Sequence, residues 1–300
     1  MKASMNSVLR IGMIAACLLA SGAHAQELTG TLKKIKDSGS ITLGARESAA
    51  PFSYNLQGTQ FAGYSVDIMM KVVDRIKTEL KLPDLKVTVM PFTAQNRIVL
   101  IQNGTLDFEC SSTTNTVERQ QQVAFSNSIF VVSTRLITGK ESGVKDFADL
   151  KGKNVATTAG TTSERLLNKL NEDKQLGMNI IAAKENGQAF LAVETGRAVA
   201  YMMDDAILYG ERAKAKDASK WVVVGTPQSF EAYGCMMSKG DTAFKKLVDD
   251  TIADLMKSGE ILPIYTKWFE QPIPPRGTLL GFTVSDDLKK LYANPNDKAL

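Results

Sequence analysis

Residues 98–109 (IVLIQNGTLDFE) and 190–204 (FLAVETGRAVAYMMD) follow one plan: an amphipathic helix, a glycine-containing turn, and a strand ending in an acid. A unit of this kind cannot bury its own apolar face, so each copy needs a sheet to pack against. The unit occurs twice rather than as a long array, which points to two α/β units and not a solenoid. The segments around it also alternate. Ser40–Leu43 reads as a strand, Ser65 onward as a helix with Val66, Met69, Val72, Val73 and Ile76 at helical spacing, and Lys86–Met90 as a strand. A hairpin is expected around Gly58 and a helix over Gln95–Asn103.

The pattern repeats beyond Ile129. Ile129–Thr138 (IFVVSTRLIT) is a β-rich run free of Gly and Pro. A helix is expected to start at Phe147, a strand at Asn154, and a helix in AGTTSERLLNKL. Strands at Met178, Ala198, Trp221 and Tyr233 follow, with helices at Gln188, Ala206 and Thr242. The β segments near 129–138 and 222–237 are expected to cross between the two units, and the stretch from Pro272 reads as a peripheral tail.

The first 25 residues read as a secretory signal. Lys2 and Arg10 precede an apolar run, Ile11–Ala20, that is too short to span a bilayer, and Ala23-His24-Ala25 is a small-x-small cleavage site. An uncleaved anchor and lipid attachment at Cys17 are the alternatives. Cleavage before Gln26 takes the net charge from +4 to +4 − 2 = +2, which argues against nucleic acid or a membrane surface as partner. It also removes His24, the only histidine, and with it Ser-His-Asp chemistry, Cys-His chemistry and imidazole–zinc sites. Cys110 and Cys235 remain in a disulfide-permissive compartment, either bridged or as two buried thiols.

One stretch suits an anion. Ser111, Ser112, Thr113 and Thr114 follow a buried strand and precede a helix carrying Arg119. Hydroxyls, helix-start N–H groups and a guanidinium together fit a carboxylate. Arg46 stands just after a strand and Arg97 in the first turn of a helix, places where a solvated arginine is less expected. Asp204 ends an apolar strand, where open α/β sheets bind ligands; Asp205 beside it is chemically as suitable, and is equally a helix cap. Thr161 and Glu164 read as a capping box.

The motifs GARESAAPFSY, TAQNRIVLIQNGTLDFECSSTTNTVERQ, AFSNSIFVVSTRLIT, DFADLKGKNV, AGTTSE, LLNKLNE, GRAVAYMMDDA, EAYGC and WFEQPIPP occur in order along nearly the whole mature chain. In this combination the sequence resembles the periplasmic solute-binding proteins of polar amino-acid ABC importers, solute-binding protein family 3, and looks most like their glutamate/aspartate-binding members. The resemblance implies an α/β, two-lobed periplasmic-binding-protein clamp, each lobe a sheet flanked by helices, joined by two hinge strands. Residues 26–133 and 228–300 would form lobe 1 and 134–227 lobe 2.

It further implies a monomer in the periplasm that captures an acidic L-amino acid and delivers it to an inner-membrane ABC permease, with no cofactor or metal. Arg119, Thr114, Thr161 and Thr162 would take the α-carboxylate, Ser112 the α-amino and carboxylate groups, and Asp204 the ammonium. Arg46 and Arg97 would read the side-chain carboxylate. Two positions depart from the family pattern: Ala94 stands in place of a serine and Asn186 in place of a histidine, both at the side-chain end. The amphoteric Asn186 makes glutamine or asparagine the alternative ligand. An enzyme on the same fold, such as a cyclohexadienyl-type dehydratase, needs a poised acid–base pair, and the acids near the expected cleft are Glu47, Glu109, Glu118, Glu164, Asp204 and Asp205. A non-enzymatic binding protein is the expectation.

Overall fold

The computed structural model describes residues 28–299; the expected leader lies outside them. α1 (Gly30–Ser38) ends on Gly39, whose φ of 63° suits glycine, and turns into β1 (Ser40–Arg46). The expected hairpin is part of a small antiparallel sheet, β2 (Ser48–Ala49), β3 (Ser53–Gln57) and β4 (Gln60–Ala62). α2 (Tyr64–Leu80) buries the stripe Val66, Met69, Val72, Val73 and Ile76. β5 (Lys86–Phe92) pairs parallel with β1, and α3 (Arg97–Gln102) leads to β6 (Phe108–Glu109), also parallel to β1. α4 (Val117–Gln120), which carries Arg119, is a single turn.

β7 (Ala124–Gly139) has 16 residues and is longer than expected. The second unit comprises β8 (Asn154–Thr158), α5 (Thr162–Asp173), β9 (Asn179–Ala183), α6 (Asn186–Glu194), β10 (Ala200–Asp204), α7 (Asp205–Lys214) and β11 (Trp221–Val224). β12 (Phe230–Met237) then runs back antiparallel to β7. The chain closes with α8 (Thr242–Ser258), α9 (Ile261–Tyr265), the ribbon β13 (Pro272–Ile273) and β14 (Thr278–Leu279), and α10 (Asp286–Ala293). The main sheet has the order β5-β1-β6-β12-β7-β10-β8-β9, with β11 on β7. β7 therefore belongs to both halves: Ala124–Ser133 pairs with β12, and Thr134–Thr138 with β10.

Two expectations need correction. Phe147–Leu150 is one 3-10 turn closed by an Asp146/Asp149 capping box, not the start of an α-helix. The stretch after Pro272 is not peripheral. Leu288, Leu291 and Tyr292 form a buried i, i+3, i+4 stripe on α10, and the Tyr292 hydroxyl lies 2.8 Å from that of Tyr64. Its charges mask this stripe in the sequence; six of its eight residues carry the pattern DDLKKL.

The cysteines are bridged. Cys110, just beyond β6, is bonded to Cys235 on β12 with their Cα atoms 4.3 Å apart. The β6–β12 ladder beside the bridge has two residue pairs, Met236–Glu109 and Met237–Phe108.

Candidate solute site

The loop from Ser111 to Asn115 is buried throughout, at the end of β6 and against β12. Arg119 folds back onto it: one Nη donates to the Thr114 carbonyl at 2.8 Å, and Thr116 caps the short α4. Arg97, at the start of α3, donates to Thr113 Oγ1 at 3.3 Å. Both guanidinium groups also reach the Gly160 carbonyl, at 3.4 and 3.5 Å, from the opposite half of the sheet. Gly160 has φ +77°, and a Cβ there would lie 2.9 Å from Gln95 Cα, so glycine allows this approach both by space and by conformation.

Arg46, Arg97 and Arg119 are each no more than 3 % exposed. Burial, followed by the neighbouring Arg119, holds the Arg97 pKa well below its usual value. Burial and then Arg165 lower that of Arg119 to about 10, opposed by Glu231 and Asp204. The Nε atoms of Arg46 and Arg97 are buried with no partner among the described residues. Three buried cations, two of them with unused donors, are costly unless an anion completes them. A cavity of about 340 Å³ between β7, β12 and α10 is lined by Phe130, Val132, Phe230 and Leu288 among others, and by none of these arginines.

Arg46 meets the second half directly. Its Nη2 donates to Glu185 Oε2 at 2.8 Å, and Ser48 Oγ donates to the same oxygen at 3.1 Å. Glu185 precedes α6 and reaches across to Arg46 instead of capping its own helix. Asn186 uses both ends of its amide: Oδ1 accepts from Thr158 at 2.8 Å and Tyr201 at 3.0 Å, and Nδ2 donates to the Ser48 carbonyl at 2.8 Å.

Thr114 and Thr162 come together, each donating to Glu231 Oε2, at 2.6 and 2.7 Å. A protein carboxylate thus already sits between these two hydroxyls, and Ser229 donates to its other oxygen at 2.9 Å. The Thr161 hydroxyl faces its own helix, accepting from the Glu164 N–H at 3.1 Å and donating to the Thr158 carbonyl. Glu164 accepts from the Gly160 N–H, not from that of Thr161, so the expected box is only half formed. Ser112 lies buried in the hydroxyl loop.

The two neighbouring aspartates part company. Asp204 is buried and accepts from the Tyr233 hydroxyl, from Ser163 at 3.3 Å and from Thr134 at 3.4 Å. Asp205 accepts from Ser133 Oγ at 2.5 Å and from the Ala206 N–H at 2.7 Å; it is the first residue of α7, whose N-cap position is Asp204 and not, as expected, Asp205. Burial, and then Glu231, push Asp204 up to about 8; burial pushes Glu109, which accepts from Thr113, up to about 7. Glu185, Glu231, Ser163 and Tyr233 escaped the sequence reading; the signals were the position of Glu185 beside Asn186 and the EAYGC motif that holds Glu231 and Tyr233.

These two carboxyls fix a pH dependence. No histidine lies among residues 28–299 to titrate between pH 5 and 8, and burial raises Asp205, Glu211 and Asp249 in the same direction. Both folded pKa values lie above their unfolded ones, so the folded state holds protons that the unfolded chain has lost. The resulting stabilisation is complete at low pH and disappears as pH rises through about 7 to 8. The ligand-free protein should melt roughly 5 °C or more higher at pH 5 than at pH 8. Calorimetry on Glu109→Gln/Asp204→Asn should show a flattened slope; a wild-type melting point that rises over this range contradicts the assignment.

Residues 41–271 match the family model for bacterial extracellular solute-binding proteins, family 3. The chain belongs to this family. The L-glutamate/L-aspartate-binding protein of Pseudomonas aeruginosa is 60% identical over 287 residues, covering 95% of each chain. The glutamate/aspartate import solute-binding protein of Escherichia coli strain K12 is 56% identical over 270 residues, covering 90% of this chain and 89% of that one. Among solved structures, a mutant of ArgBP from T. maritima aligns with TM-score 0.71 and 26% identity over 80% of this chain and 99% of its own. Family 3 members are extracellular binding proteins, so this chain is a binding component and not an enzyme, on the mixed α/β fold of that relative.

Proposed function

We propose that this protein binds an acidic L-amino acid, glutamate or aspartate, and delivers it to the permease of an ABC importer. The observation that carries the reading is the set of three buried arginines on the first half, two with unused Nε donors, which reach Gly160 and Glu185 of the second half. The names of the two relatives agree with that chemistry. The mechanism is hinge closure of two lobes, residues 26–133 with 228–300 and residues 134–227, in which β7 and β12 are the connecting strands. The periplasm, as a monomer, is the setting this implies.

In the closed form Arg119 takes the α-carboxylate, with Thr114, Thr161, Thr162 and Ser112 around it. The ligand shares or takes over the hydroxyls that Thr114 and Thr162 now give to Glu231. Asp204 receives the α-ammonium, whose charge stabilises the ionised carboxylate against burial. Arg97 and Arg46 read the side chain. Asn186, whose amide donates to the Ser48 carbonyl, acts by positioning Ser48.

A thermal-shift panel of the twenty amino acids tests the proposal. At a concentration near 100 Kd, glutamate or aspartate should add about 2.7 kcal/mol of stability, roughly 5–10 °C in melting temperature. A larger shift with glutamine than with glutamate removes Arg46 and Arg97 from the side-chain role.

A further inference from the structure

We propose that Glu185 sets how strongly the site distinguishes an acidic side chain from its amide, an inference that rests on the proposed binding function. Arg46 is assigned to the ligand side chain, yet it already holds a protein carboxylate at 2.8 Å. The pair is not bidentate. Glu185 Oε1 and Arg46 Nε are both buried without a partner among the described residues, while Glu185 Oε2 serves Arg46 and Ser48 together. One unused acceptor and one unused donor therefore belong to the same ion pair, at the end of the site where the side chain is read.

That combination matches a carboxamide: its carbonyl accepts from Arg46, and its NH2 donates to Glu185. A carboxylate gains the first contact and meets a like charge at the second. The Arg46 and Glu185 side chains are 2% and 12% exposed, so water screens that charge poorly. Asn186 already accepts from Thr158 and Tyr201 and donates to the Ser48 carbonyl, and the Ser48 hydroxyl donates to Glu185 itself. Arg97 stays the charge that favours acids. Amide tolerance thus belongs to Glu185 and not to the neighbouring Asn186.

Isothermal titration of wild type and Glu185→Gln with glutamate and with glutamine tests this. The substitution keeps the shape and a hydrogen-bonding side chain but removes the charge. Glutamate affinity should rise at least fivefold and glutamine affinity should fall, so that the glutamate-to-glutamine ratio grows about tenfold. Equal changes for both ligands would mean that Glu185 merely helps hold the halves together, and no change would mean that it is irrelevant; either result overturns the inference. Glu185→Ala must move the ratio in the same direction, with melting curves showing both variants folded. A wild-type protein that binds neither glutamate nor aspartate refutes the proposed function instead, and does so before any variant is compared.

Discussion

Replacing Arg119 with alanine should weaken glutamate binding by about 3–5 kcal/mol, roughly two to four powers of ten in Kd. The side chain is 3 % exposed, and it joins three pieces of the site: the Thr114 carbonyl, the Gly160 carbonyl of the opposite half, and the ligand carboxylate assigned to it. Losing it leaves a desolvated ligand carboxylate without its countercharge, which costs far more than one neutral hydrogen bond. Arg119→Lys should recover only part of the loss, because an ammonium cannot span a carbonyl and a carboxylate with one planar fork. Calorimetry with glutamate decides the matter. Unchanged affinity in Arg119→Ala removes the residue from the site.

The second large effect concerns the Cys110–Cys235 bridge, which closes a loop of 125 residues. Replacing both cysteines with alanine should cost about 2–4 kcal/mol of stability, lowering the melting temperature by roughly 5–15 °C. The physical need for the bridge is local as well as entropic. β6 is two residues long and is held by two pairs to β12 and two to β1, so the bridge adds a covalent tie to a short ladder just before the hydroxyl loop. Cys110 immediately precedes Ser111, and loosening it should therefore also weaken glutamate binding. Scanning calorimetry with and without a thiol reductant, alongside the double variant, measures the effect. If neither treatment lowers the melting point, the bridge has no such structural role.

How much of this was legible in the chain depends on the range of the interaction concerned. The stripe of α2 and the Gly- and Pro-free run of β7 are properties of neighbouring residues, and both elements appear where the pattern places them. The α10 stripe was legible in principle but hidden among lysines and aspartates. The arginines could be singled out because Arg46 ends β1 and Arg97 starts α3, where a charge is not easily kept in water.

Their partners could not be. Arg46 meets Glu185 across 139 positions and Thr114 meets Glu231 across 117, and a lone glutamate in a sequence carries no sign of which cation or hydroxyl it will face. The separation of Asp204 from Asp205 is of the same kind. Both are acids at one strand end, and only the placement of Tyr233, Ser163 and Ser133 around them gives one the buried Tyr233 and Ser163 hydroxyls and the other Ser133 and the first turn of α7. By itself the sequence determined the elements, their alternation and the family, because periodicity and motif order are carried by residues close together in the chain. The tertiary structure alone decided which buried charges neutralise one another, since that depends on which strand ends the sheet order brings together across its two halves.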